Sequence, residues 1–155
     1  MKNIDFSNIK GKVIIESVKE IEDVKFPDIY TDDLDFKNLE KQSGLLLPKE
    51  LRGSLTFNGF AGFENLILPE NIRGKLKISD VATVENFIAP QTEEIDFDDV
   101  TSLKDVDLRN VKKEICAGGV RSLENVVFPE FCDGDLNLLS LVEFRNVIFL
   151  LRSII

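Results

Sequence analysis

The apolar residues of this chain fall into columns. With Pro48 set as position 1 of a 21-residue unit, Pro27 and Pro69 open the units on either side and Pro90 the next. After two short deletions Pro129 opens the last unit, and the first begins at Phe6. Position 8 then holds Val13, Leu34, Leu55, Leu76, Ile95, Ile115 and Leu136. Position 10 holds Ile15, Phe36, Phe57, Ile78, Phe97, Ala117 and Leu138. Position 19 holds Val24, Leu45, Leu66, Phe87, Val106, Val126 and Val147, and position 21 is apolar throughout. Positions 4, 13 and 16 are apolar in nearly every unit, with Gln42 the exception at 16.

Positions 8 and 10, and again 19 and 21, alternate with the period of a strand, and Val, Ile and Phe dominate them. Each unit therefore reads as a strand at 7–11, a bend, a strand at 18–21 and a Pro turn, where the missing N–H would break a ladder. Gly at position 6 (Gly11, Gly53, Gly74, Gly134) is expected to supply a turn with free φ. One coil cannot bury its inner residues alone, but coils stacked at about 4.7–4.9 Å can. The expected fold is all-β: a right-handed solenoid of about seven coils, each of 19–21 residues, covering 6–149 of a single 1–155 domain. Residues 1–5 would form an N-terminal cap, and 150–155 a C-terminal cap or a truncated eighth repeat.

The segments SLENVVFP at 122–129, FENLILP at 63–69 and VENFIAP at 84–90 carry a further likeness. They resemble the leucine-rich repeat core L-x-x-L-x-L, especially its short bacterial variants with Pro after the core. That resemblance implies a parallel sheet and a role in protein binding. The chain departs from the family in its short unit, in an irregular Asn (present only as Asn71 and Asn110), and in a back segment that reads as a second strand. A plain parallel β-helix describes the same columns.

Two columns carry candidate function. Position 18 holds Asp23, Asn65, Asn86, Asp105, Asn125 and Asn146, with Gly44 in the second unit. Such a column reads as a structural ladder, each side chain bonding its own turn and its neighbour. Position 20 points outward yet holds Leu46, Ile67, Ile88, Val127 and Ile148, with Lys25 ahead of them and Asp107 between Ile88 and Val127. An outward apolar row marks a candidate partner-binding face.

The charge pattern adds one element. Lys75 and Lys77 stand one unit from Glu94 and Asp96, so cross-strand attraction explains the acidic run EEIDFDD without a metal. Among 155 residues there is no His, which removes the usual neutral-pH base and the commonest transition-metal ligand. The net charge of -9 disfavours nucleic acid. Two Cys fit a reducing compartment, and Cys116 outward with Cys132 inward argues against a bridge. No run is long enough for a membrane span and no secretory signal stands at the start, so the expected location is cytoplasmic, or exported without a cleaved signal peptide. The leading functional expectation is a non-enzymatic protein-binding scaffold with no cofactor. A self-assembling solenoid, a homo-oligomer joined through the apolar C-terminal end, is the first rival. A polysaccharide-acting enzyme with paired carboxylates is the second.

Overall fold

Strand β1 (Lys2–Asp5) opens the chain, and each later coil contributes its own strands. β2 (Val13–Glu16) and β3 (Glu20–Lys25) belong to the first coil; β4 (Ile29–Tyr30), β5 (Leu34–Lys37) and β6 (Lys41–Leu46) to the second. β7 (Glu50–Leu51) and β8 (Leu55–Asn58) make the third, β9 (Asn71–Ser79) and β10 (Thr83–Ile88) the fourth. β11 (Gln91–Asp98) and β12 (Ser102–Asp107) follow, then β13 (Val111–Cys116) and β14 (Ser122–Val127), then β15 (Leu136–Asn137) and β16 (Glu143–Arg145). In this computed structural model, which describes residues 1–149, every pairing is parallel and the coils stack as a β-solenoid of about seven turns.

The first strands of the coils form one sheet in the order β15-β13-β11-β9-β8-β5-β2. Its register joins the sequence columns directly: Leu34, Leu55, Leu76, Ile95, Ile115 and Leu136 are successive partners, as are Phe36, Phe57, Ile78 and Phe97. From Leu34 to Ile115 these residues are essentially inaccessible to water. Thr92 fills column 4 between Ile72 and Val111, where the unit is shortened. It is buried, and its hydroxyl donates to the Gly74 carbonyl at 3.1 Å, which removes the cost of an unpaired polar group.

The L-x-x-L spacing has a backbone cause. Asp23, Asn86, Asp105, Asn125 and Asn146 at position 18 all have φ between 51° and 53°, and Gly44 has φ 66°. Asx and Gly occupy this left-handed region at low cost. The resulting bend turns two successive residues outward, so positions 16 and 19 both face the core. Asn3 adopts the same φ of 53°, and β1 pairs with β3 in the matching register, Ile4 beside Val24. The segment 1–5 is thus the second half of a coil. A second left-handed corner lies at position 12, with Ser17, Asn38, Gly59, Asp80 and Asp99.

The glycines of position 6 serve a different purpose from the one expected. Only Gly11 has positive φ; Gly53, Gly74 and Gly134 do not. A Cβ on Gly53 would lie 2.4 Å from the Asp32 carbonyl, and one on Gly74 2.7 Å from the Gly53 oxygen. Close approach of successive coils, not backbone freedom, demands glycine there.

At the last coil the columns reach water: Leu136, Phe144 and Phe149, in core positions, are exposed. Phe149 still stacks on Phe128 with ring centroids 4.8 Å apart. The expected cap at 150–155 lies outside the described residues.

Candidate partner-binding groove

The second strands do not form one sheet. They split into β1-β3-β6 and β10-β12-β14-β16, with the third coil contributing no strand between them. Residues Phe63–Asn65 form a 3-10 turn instead. Aromatic volume accounts for the break. This coil carries Phe57, Phe60 and Phe63 at positions 10, 13 and 16, with ring centroids 5.2–5.4 Å apart. Phe63 also meets Phe87 edge-on at 5.1 Å, a diagonal contact to position 19 of the next coil. Beneath it, Gln42 replaces the usual apolar residue. Its amide donates to the Asn65 carbonyl at 3.1 Å and accepts from the Leu45 N–H at 3.4 Å, tying the irregular segment to β6.

Backbone pairing is lost accordingly. Phe26 donates to Leu46, Ala89 to Asp107, Leu108 to Val127 and Phe128 to Ile148, all at 2.8–2.9 Å. Among the described residues the equivalent bonds from Leu47 to Ile67 and from Leu68 to Ile88 are missing. Beside this interruption lies a groove of about 480 Å³, lined by Leu66, Leu68, Pro69, Phe87, Ile88 and Pro90 together with Asn86, Gln91, Glu64 and Glu70.

The candidate row of position 20 divides here. Leu46, Ile67 and Ile88 are 52%, 78% and 69% exposed, forming a continuous apolar run across coils two to four. Asp107 ends it. Its carboxylate holds the Arg109 guanidinium, with the shortest contact 2.5 Å, and that pairing keeps its pKa below the usual carboxylate range. Val127 is half-buried and bridges to Ile148, which is half-exposed in the last coil. The five residues therefore form two patches.

The carboxylates of the groove are distinct from their neighbours. At position 17, Glu22 pairs with Lys2, Glu85 with Lys104 at 2.8 Å and Glu124 with Arg145 at 2.7 Å. Glu64 occupies the same position in the third coil and, among the described residues, has no cation within 4.0 Å; Glu70 has none either. Sequence reasoning missed both. For Glu64 the available signal was column 17 read as a charge ladder, in which Ser43 below and Glu85 above leave it without a cation.

The Asx column is partly a side-chain ladder. Asn125 donates to Asp105 at 2.7 Å, and Asn146 to Asn125 at 3.1 Å. Asp23 and Asn86 share the left-handed backbone, whereas Asn65 sits in the 3-10 turn and leaves the pattern.

On the opposite sheet, Lys75 meets Glu94 at 2.5 Å, as the register required, but Lys77 reaches Asp98 at 2.7 Å and not Asp96. Asp96 keeps a long contact to Lys75 at 3.9 Å and is half-buried, and burial outweighs the two lysines and pushes its pKa up. Glu94, Glu114 and Cys116 bring their ligand atoms within 4.8 Å of one another. Lys75 already answers the charge of Glu94, and the Cys116 thiol donates to Glu114 at 3.1 Å. Burial and the adjacent carboxylate push that thiol up to about 12, so it stays protonated at neutral pH. Both cysteines are free.

No protein-family model, curated protein or solved structure matches the chain. The class is defined by the register itself: a repeat solenoid of parallel strands. No helix among the described residues is long and apolar enough to cross a membrane.

Proposed function

We propose that this protein is a non-enzymatic scaffold that binds another protein at the interrupted sheet of its third coil. The carrying observation is the coincidence of three features there: an exposed apolar row, missing ladder bonds and a groove. Apolar side chains standing in water beside unpaired backbone are the features that strand-adding partners use. The solenoid supplies rigidity, because every other rung is laddered on both sides of the break. The protonated Cys116 and the lysine-paired carboxylates of the opposite face support a role without nucleophilic chemistry. The test is site-specific photo-crosslinking in extract of the native cell, with the crosslinker at Ile67 or Ile88 and, as control, at Ile14 on the other sheet. A discrete heterologous adduct from 67 and 88 alone is expected. Equal adducts from all three sites overturn the reading.

A second reading, end-to-end self-association, is favoured by the last coil. Phe144 and Leu139 are 70% and 88% exposed there. In an antiparallel pair of β16 strands, Glu143 of one copy would face Arg145 of the other, which is self-complementary as a two-fold contact requires. Sedimentation of the full chain and of a Phe144→Lys variant decides it: a dimer abolished by the substitution is expected, and a strict monomer at high concentration removes it.

A further inference from the structure

We propose that the segment held at the third coil is a short extended stretch that turns apolar residues and flanking Lys or Arg to the same face. This rests on the protein-binding reading and adds the chemistry of the partner. Three observations converge. First, Leu47 and Leu68 lack the ladder bonds that their counterparts make. An extended chain is the conformation that presents N–H and C=O groups at strand spacing to such positions. A helix satisfies its own backbone and gains nothing there.

Second, the apolar run is short. Leu46, Ile67 and Ile88 stand in three successive coils, so at strand spacing the run extends roughly 10 Å. An added strand lies parallel to the coils, and along coil three it meets Glu64, Ile67 and Glu70 in turn, so its surface-facing side chains are central apolar residues flanked by cations.

Third, the charge at this place is uncompensated. Every other carboxylate at position 17 has its cation, and Glu64 does not; Glu70 lines the same groove, also without one. Both residues are exposed, so each retains its water until a partner arrives. Lys or Arg beside the apolar side chains completes the ladder that the third coil leaves open. The net charge of -9 adds long-range attraction, which speeds encounter but does not choose the site. An acidic segment would meet repulsion from the whole surface and no cation within the groove.

Fluorescence anisotropy with a labelled seven-residue peptide, Lys-Ser-Val-Ser-Val-Ser-Lys, tests this on the full chain. The comparison peptide carries Glu in place of Lys. The Lys peptide is expected to bind at least about tenfold more tightly than the Glu peptide, and to weaken as salt rises. Glu64→Gln with Glu70→Gln should weaken it about fivefold or more. Glu16→Gln with Asp98→Asn makes the same charge change on the first-strand sheet and should leave binding within about twofold. Circular dichroism confirms that both pairs fold. Equal binding of the two peptides, or equal effects of the two variant pairs, overturns the proposal. Failure of the Lys peptide while crosslinking at Ile67 still captures a partner rejects the basic segment and leaves the scaffold reading standing.

Discussion

Replacing Phe57 by Ala empties the centre of the solenoid. The side chain is 0% exposed. It stacks on Phe36 at 5.2 Å with the rings 14° apart, and meets Phe60 at 5.3 Å and Phe63 at 5.4 Å. Truncating a fully buried Phe costs about 3–5 kcal/mol, and the spread reflects how far the site collapses. Collapse is limited here, because strand pairing holds the coils above and below at fixed spacing. Three aromatic partners, each contributing about 0.5–1.5 kcal/mol beyond area, place the loss in the upper half of that range. With no Trp and one Tyr, far-UV circular dichroism is the suitable probe for a urea titration. A loss of about 4 kcal/mol at a slope of about 2 kcal/mol/M moves the midpoint by about 2 M. Phe149→Ala is the control: that ring is 43% exposed, with Phe128 as its ring partner among the described residues, so about 1 kcal/mol is expected. Lys77→Ala, on the outward face, should cost under ~1 kcal/mol. Equal midpoint shifts for Phe57 and Lys77 would refute the inward phase, since a one-residue slip exchanges the two faces of a strand.

Three other outcomes follow from the coil geometry. Gly53→Ala places a Cβ 2.4 Å from the Asp32 backbone, so it should lower thermal stability far more than Gly119→Ala, whose nearest neighbour is 3.5 Å away. Asn125→Ala loses both ladder bonds and puts Ala at φ 52°, for a cost of about 1–3 kcal/mol by urea titration, of which Asn125→Gly should recover the backbone part. Asp96→Asn should raise the melting temperature at pH 7. Burial raises the folded pKa of Asp96, so the native chain binds this proton more readily than the unfolded one, and the penalty is full at neutral pH. The penalty falls as pH drops through the raised pKa, so the advantage of the variant should shrink on acidification; an advantage that grows contradicts the assignment.

The inward columns were legible because parallel stacking repeats one environment at every coil. Positions 8 and 10 had to be apolar each time, and Leu34 to Ile115 declare it. The Asx column was visible as a pattern, but its cause was hidden: a left-handed residue looks the same in sequence as a hydrogen-bonding one. Position 12 carried the same signal in Ser17, Asn38, Gly59, Asp80 and Asp99 and went unread. Gly53 was legible as a requirement for glycine, but the reason lies in another coil's backbone, which no local pattern reports. The outward apolar row was found from sequence, whereas its division at Asp107 and the break at coil three were not. The break depends on Phe57, Phe60 and Phe63 competing for one cross-section above Gln42, and that competition exists only after folding.

The split of the second-strand sheet underlies both the binding groove and its preference for a basic strand. Amide hydrogen exchange resolved by NMR on the free full-length chain tests it most directly. Leu47 and Leu68 N–H should exchange orders of magnitude faster than Phe26, Ala89, Leu108 and Phe128, whose ladder bonds are closed. Protection at Leu47 and Leu68 equal to that of the four ladder amides would show a continuous sheet and contradict the account.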